Sequence, residues 1–162
     1  MMPNGDQILA LTDRAELTDA IKDVRALGTA AVAVTCGADG CLVAWPGGGG
    51  PVKLPALEVE VVDTTGCGDG FTAGLLAGLL AGPGPASPDS ASPGLASPGL
   101  ASPGLASTAP PDAAWLGLAC GALVATGLGS DAGIENLAQV LDFLSDTQPA
   151  VAGRIKRSTR HD

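Results

Sequence analysis

Aromatic side chains are scarce in this chain: two Trp, two Phe and no Tyr in 162 residues. A core must therefore be built from Ala, Val and Leu. Basic side chains are also few, eight Lys and Arg against seventeen Asp and Glu, for a net charge of −9. Nucleic-acid binding calls for a basic face, so that class is set aside. Any phosphate held here must be held by local dipoles and not by the field of the whole molecule. The one histidine, His161, lies near the chain end, and Cys36, Cys41, Cys67 and Cys120 show neither C-x-x-C spacing nor a neighbouring histidine. Metal clusters and disulfides are poor readings, and reduced thiols in a cytoplasmic protein are expected. No G-x-x-x-x-G-K-[ST] is present, which removes the P-loop. The start, Met1 to Asp6, lacks the basic and apolar regions of a signal peptide. Membrane-spanning runs are missing too. The helix expected after Asp69 meets Pro83 too early, and Ala113 to Ser130, though uncharged, holds four glycines and no basic flank.

What is present begins with a composition that is 46% apolar, enough for one domain with its own core. The chain is organised around Asp63-Thr64-Thr65-Gly66-Cys67-Gly68-Asp69-Gly70. Leu57 to Val62, alternating and then apolar, predicts a strand entering it. Phe71, Leu75, Leu76, Leu79 and Leu80 fall on one helical stripe after it. An acid-bracketed, glycine-rich turn between a strand and a helix start offers unhindered N–H groups and a dipole that favours an anion. A carboxylate at that place, Asp69, is suited to take a proton from a hydroxyl while the amides hold a phosphoryl group. An incidental Asp in an ordinary strand–helix turn is the plainer alternative.

This stretch resembles the D-T-x-G-A-G-D signature of ribokinase-like (PfkB) carbohydrate kinases. The resemblance implies that Asp69 is the catalytic base and that the amides of Gly66, Cys67, Gly68 and Asp69 form the anion hole. Cys67 stands where the family usually has alanine, a small-for-small change. Asn4 matches the family's N-x-x-E motif, which helps place magnesium, but Gln7 stands where the glutamate belongs, with Asp6 beside it. Thr35, Gly37 and Gly40 match the V-T-x-G-x-x-G hairpin that borders the ATP phosphates and ribose; with Asn4 and Gly68 they form the implied nucleotide site. Thr126 to Asp131 resembles the loop near the adenine and a monovalent cation. By that likeness the cation, K+, is held by Asp63, the carbonyl of Thr65 and the carbonyls of Val124, Gly127 and Gly129.

The remaining elements are read from the residues. Asn4-Gly5 is a turn. Asp13 to Glu16 has the pattern of a capping box, opening a helix along Leu17, Ile21, Val24 and Leu27 that stops at Gly28. Ala30 to Thr35 and Cys41 to Trp45 are strands joined by the tight turn Ala38-Asp39-Gly40, and Val52 to Leu54 is a short edge strand. Residues 83–111 form a low-complexity insertion, with Ser-Pro-Gly-Leu-Ala repeated from Ser92, Ser97 and Ser102. Asp112 is the expected N-cap of a helix running to Ala125. Ile134, Leu137, Val140, Leu141 and Leu144 mark a closing amphipathic helix, and residues 147–162 read as a solvated tail.

Residues 1–82 and 112–146 thus correspond to the C-terminal, nucleotide-binding portion of the ribokinase-like α/β fold, a central sheet flanked by helices. The family's N-terminal part, with its lid and sugar-gripping residues, has no counterpart here, which leaves the sheet an edge without neighbours. The implied function is ATP- and Mg2+-dependent phosphoryl transfer to an alcohol group of a sugar or nucleoside. The alternative is a non-catalytic nucleotide-binding remnant or subunit. Expected partners are the small-molecule acceptor and a chain supplying the other half, or a second copy; neither nucleic acid nor membrane is expected.

Overall fold

Successive side chains of a strand point to opposite faces, and that alternation sorts this molecule into layers. The computed structural model describes residues 1–80 and 110–158. In it β1 (Val32–Thr35), β2 (Cys41–Ala44) and β3 (Val52–Leu54) form an antiparallel sheet in the order β1-β2-β3. Val32 is opposite Ala44, Thr35 opposite Cys41, and Cys41 opposite Leu54. Val32, Val34 and Ala44 pack on one side with Ile8, Ala20, Ile21 and Val24 from α1 (Gly5–Thr12) and α2 (Leu17–Ala26). Ala33, Cys41, Val43 and Leu54 join the larger core on the other side. That core holds α3 (Cys67–Leu80), α4 (Pro110–Ala125), α5 (Leu137–Thr147) and α6 (Pro149–Ser158). The expected hairpin, edge strand and layered α/β arrangement are all there.

The N-terminal residues form more than a turn. Ala33 N donates to Met1 O (3.0 Å) and Thr35 N to Pro3 O (3.1 Å), so the first residues cover the outer edge of β1. Asn4 then opens α1 with a reciprocal capping box. Its Oδ1 accepts from Gln7 N at 2.8 Å, and Gln7 Oε1 accepts from Asn4 N at 3.0 Å. Asp13, expected to open α2, instead closes α1 in the left-handed region (φ 52°), which a short polar side chain tolerates. Glu16 takes the N-cap place of α2 without a side-chain bond. Leu27 leaves the predicted stripe and is 86% exposed.

Two further expectations change at α3. Leu57 to Val62 joins no ladder among the described residues. Leu57 is buried while Val61 and Val62 are exposed, and Val62 N bonds to Ala125 O (2.8 Å) in place of a strand partner. Among the described residues no strand lies beside it. On α3, Phe71 and Leu75 are buried as expected, yet Leu76 and Leu79 are exposed. The face against α4 is the glycine row Gly70, Gly74 and Gly78, spaced by four residues. A Cβ at Gly74 would stand 2.6 Å from Leu116 O, and one at Gly78 would stand 2.8 Å from Ala113. Small residues here let two backbones approach more closely than leucines permit.

Most of the low-complexity insertion lies outside the described residues, as does its repeat. Pro110 and Pro111 begin α4, a place where proline's missing N–H costs nothing. Asp112 is therefore inside the first turn and is not the N-cap. It is buried, and Arg154 of α6 grips it with Nε to Oδ2 at 2.9 Å and Nη2 to Oδ1 at 2.6 Å. The predicted solvated tail is thus a packed helix, with Val151, Ala152 and Ile155 in the core. Arg154→Leu leaves the Asp112 carboxylate without its cation. It is expected to lower unfolding stability by about 1–3 kcal/mol, measured by denaturant titration, because the arginine is half exposed and the acid is not.

Candidate active site

The central motif bends where glycine permits it. Gly66 has φ +81° and sits so close to Ser130 that any side chain would meet that residue's backbone. The bend aims the start of α3 outward. Of its first amides, Cys67 N reaches Thr64 O at 3.3 Å and Gly70 N makes a helical bond to Gly66 O at 2.8 Å. The amides of Gly66, Gly68 and Asp69 have no acceptor among the described residues. A helix start with unspent donors favours an anion. Asp69 is exposed and stands in this first turn.

Asp63 braces the turn. One carboxylate oxygen accepts from Thr65 N (2.9 Å) and the other from Gly129 N (3.2 Å), tying the motif to the loop after α4. The Thr65 amide, more than any other group, holds its pKa below the ordinary 3.8. Depression of a folded-state pKa means that this bracing is complete above the unfolded value and is lost as pH falls through the lower folded one. Amide resonances of Thr65 and Gly129 are expected to stay in place down to about pH 4 and to move together only below it. Movement centred above pH 5 would show that the carboxylate does not hold the two loops.

The hairpin turn supplies the opposite wall. Gly37 (φ +56°) and Gly40 (φ +89°) take left-handed conformations, and the turn closes with Cys36 N on Gly40 O at 2.8 Å. Between this turn, the α1 start, the motif and α4 lies a cavity of about 750 Å³. Asn4, Thr35, Gly37, Gly40, Cys67 and Gly68 all line it, so residues far apart in sequence meet at one place. Asp69 follows Gly68 directly but does not line the cavity. Asp63 joins Thr65 and Gly129 through its two bonds, and none of the three lines the cavity; Val124 O accepts from Gly127 N at 3.3 Å. The reading of the sequence missed the α4 wall, formed by Leu118, Gly121, Ala122 and Ala125. The signal was there: positions i, i+3, i+4 and i+7 make one helical face.

The residues can be tested against the implied ions. Among the described residues no three His, Cys, Asp or Glu side chains converge. Asp6 is the carboxylate that lines the cavity. Magnesium keeps its waters and uses one or two carboxylates beside substrate phosphates, so Asp6 fits that use. Asn4 and Gln7 hold each other's backbone, and their capping oxygens are already engaged. Both oxygens of Asp63 likewise accept N–H groups, so it ties the turn at Thr65 to the loop at Gly129. Cys67, half-buried, has its thiol pKa pushed up by burial and then by Asp63, which keeps it a neutral lining group.

Fold and site together define a layered α/β unit with a cavity at the start of a helix, and comparison with known proteins gives its family. Residues 1–137 match the pfkB family carbohydrate kinases. This chain belongs to that family. It is similar to 1-phosphofructokinase of Haloferax volcanii, 38% identical over 80 residues, which cover 46% of this chain and 26% of that one. The solved aminoimidazole riboside kinase of Salmonella enterica, complexed with aminoimidazole riboside and an ATP analogue, superposes with a TM-score of 0.65 and 27% identity. That match covers 89% of this chain and 41% of the other. Fructokinase of Vibrio cholerae, bound to fructose, ADP and calcium, gives 0.66 at 26% identity over 88% of this chain and 40% of its own. The chain therefore spans about a quarter to two fifths of the length of these relatives, and its fold is the corresponding part of the ribokinase-like fold. No helix among the described residues is long and apolar enough to cross a membrane.

Proposed function

We propose that this chain carries the nucleotide-binding and catalytic portion of an ATP-dependent phosphotransferase whose acceptor is an alcohol group of a sugar or nucleoside. The single observation that supports it best is the start of α3, where the amides of Gly68 and Asp69 have no acceptor among the described residues and Gly68 lines the cavity. In this reading the hairpin turn at Gly37 and Gly40 and the capped start of α1 at Asn4 lie along the nucleotide phosphates, while the small residues of α4 receive the base. The amides of Gly66 to Asp69 hold charge on the transferring phosphoryl, and donors fixed before the reaction lose nothing to reorganisation. Asp69, exposed beside them, takes the proton from the acceptor hydroxyl. Magnesium, when bound, neutralises the phosphates; Asp6 is the residue placed to hold its water shell. Potassium would lie on the Thr65, Val124, Gly127 and Gly129 carbonyls, with Asp63 setting the loops.

One observation favours a second reading, a nucleotide-binding unit without turnover. The Gln7 amide that replaces a carboxylate is spent on capping α1. The test is binding and turnover on the same sample. ATP is expected to shift the Gly37, Gly40 and Gly68 amide resonances with saturation and to be consumed with one member of a panel of sugars and nucleosides. Saturable shifts without turnover for any acceptor favour the second reading; no shifts at those glycines sink both.

A further inference from the structure

A second cavity, of about 800 Å³, lies at the other end of the β1–β2 hairpin and shares no residue with the first. It is bounded by the end of α2, the start of β1 and the glycine-rich loop between β2 and β3. Its charge runs against that of the chain. Seventeen acids outnumber eight bases overall, yet Lys22 and Arg25 line this cavity and no acid does.

Arg25 is the unusual member. Arg14, Lys22, Arg154 and Lys156 each meet an aspartate. Arg25 meets none among the described residues, and its Nε is sealed from solvent without a hydrogen-bond partner. A buried donor left unmade costs about 1–3 kcal/mol, and more when charged. An anion that reaches this guanidinium supplies an acceptor to its N–H groups. Trp45 lines the same cavity with a half-buried indole, backed on one side by Gly48, where a Cβ would come within 2.6 Å of the ring. Gly49, also in the lining, carries no side chain and has open space where its Cβ would stand. A guanidinium fork and a flat indole lining one cavity match a ligand that carries its charge on a planar ring.

We propose that this groove binds a small aromatic anion, its carboxylate or phosphate on Arg25 and its ring on Trp45, at a site separate from the proposed nucleotide cavity. The test is a titration of the isotope-labelled 162-residue chain with 2-naphthoate, 2-naphthylmethanol and inorganic phosphate, followed by NMR. Naphthoate is expected to move the Trp45 indole and the Gly47 to Gly50 amides with saturation while leaving Gly68 and Asp69 in place. Naphthylmethanol and phosphate are each expected to bind at least about tenfold more weakly, since each lacks one of the two contacts. Arg25→Gln is expected to weaken naphthoate by a similar factor. Gly49→Glu, which puts an acid into the open space at the rim, is expected to do the same without touching the packed side of α2. The proposal is overturned if naphthoate gives no saturable shift at Trp45. It is equally overturned if the uncharged alcohol or phosphate alone binds as tightly, or if both variants bind as the parent does.

Discussion

Asp69→Asn is expected to reduce phosphoryl transfer by about 10²–10⁴-fold, the contribution typical of a positioned base. The asparagine keeps the size of the side chain and its place in the first turn of α3, so the helix start and its amides stay where they are. Nucleotide affinity, read by amide shifts or calorimetry, is expected to change by no more than about twofold, because the lost group acts on the acceptor proton and not on the ATP phosphates. That split between rate and affinity is the signature of the proposed role. Equal turnover in parent and variant would remove Asp69 from the chemistry. A large loss of nucleotide affinity would instead make it part of the phosphate site.

Gly74→Leu is expected to produce the largest structural effect of any single change. Gly74 lies midway along the close contact of α3 with α4, and even a Cβ there would stand 2.6 Å from Leu116 O and 2.8 Å from Cys120 Sγ. One of those neighbours is backbone, so no rotamer change relieves the clash and the helices must separate. Overpacking a core with methylenes alone costs about 1–3 kcal/mol. A side chain driven into a facing helix backbone is expected to cost more, and total stabilities are only about 5–15 kcal/mol. Gly68→Ala is the matched control. Nothing lies within 4 Å of its added Cβ and its φ is not left-handed, so the melting temperature should hold within a few degrees. If Gly74→Leu melts with the parent, the close approach of α3 and α4 is not what organises this half of the core.

The comparison of Gly68 with Gly74 also shows what could be read in advance. The motif, the hairpin and the helix ending at Ala125 were legible because each rests on a local requirement. Gly37, Gly40 and Gly66 adopt backbone conformations that other residues resist, and alternation at Val32 to Thr35 marks a strand before any partner is known. The cavity-lining glycines of the hairpin turn were legible for the same reason, since a turn that needs glycine declares itself within a few positions. The α4 wall at Leu118, Gly121, Ala122 and Ala125 had a periodic signal but no chemistry to draw attention to it. Asp13 was misplaced because an acid before a helix and an acid after one look alike until the first helix is known to exist. The last helix was missed because its lysines and arginines suggested solvent, whereas Arg154 is turned inward by Asp112, 42 residues earlier.

By itself the sequence determined the strand–turn–strand unit, the glycine bend before α3 and the placing of an acid in that helix's first turn. These follow from backbone sterics and from side-chain period, which act over a few residues. Tertiary structure alone decided which face of α3 meets α4, because the period marked the stripe of Phe71 and the leucines, whereas Leu76 and Leu79 stay exposed and the glycines make the contact. The contact fell on the glycines because two backbones gain most where no side chain separates them. It also decided that Leu57 to Val62 stays unpaired, since a strand is made by its neighbour and not by its own residues.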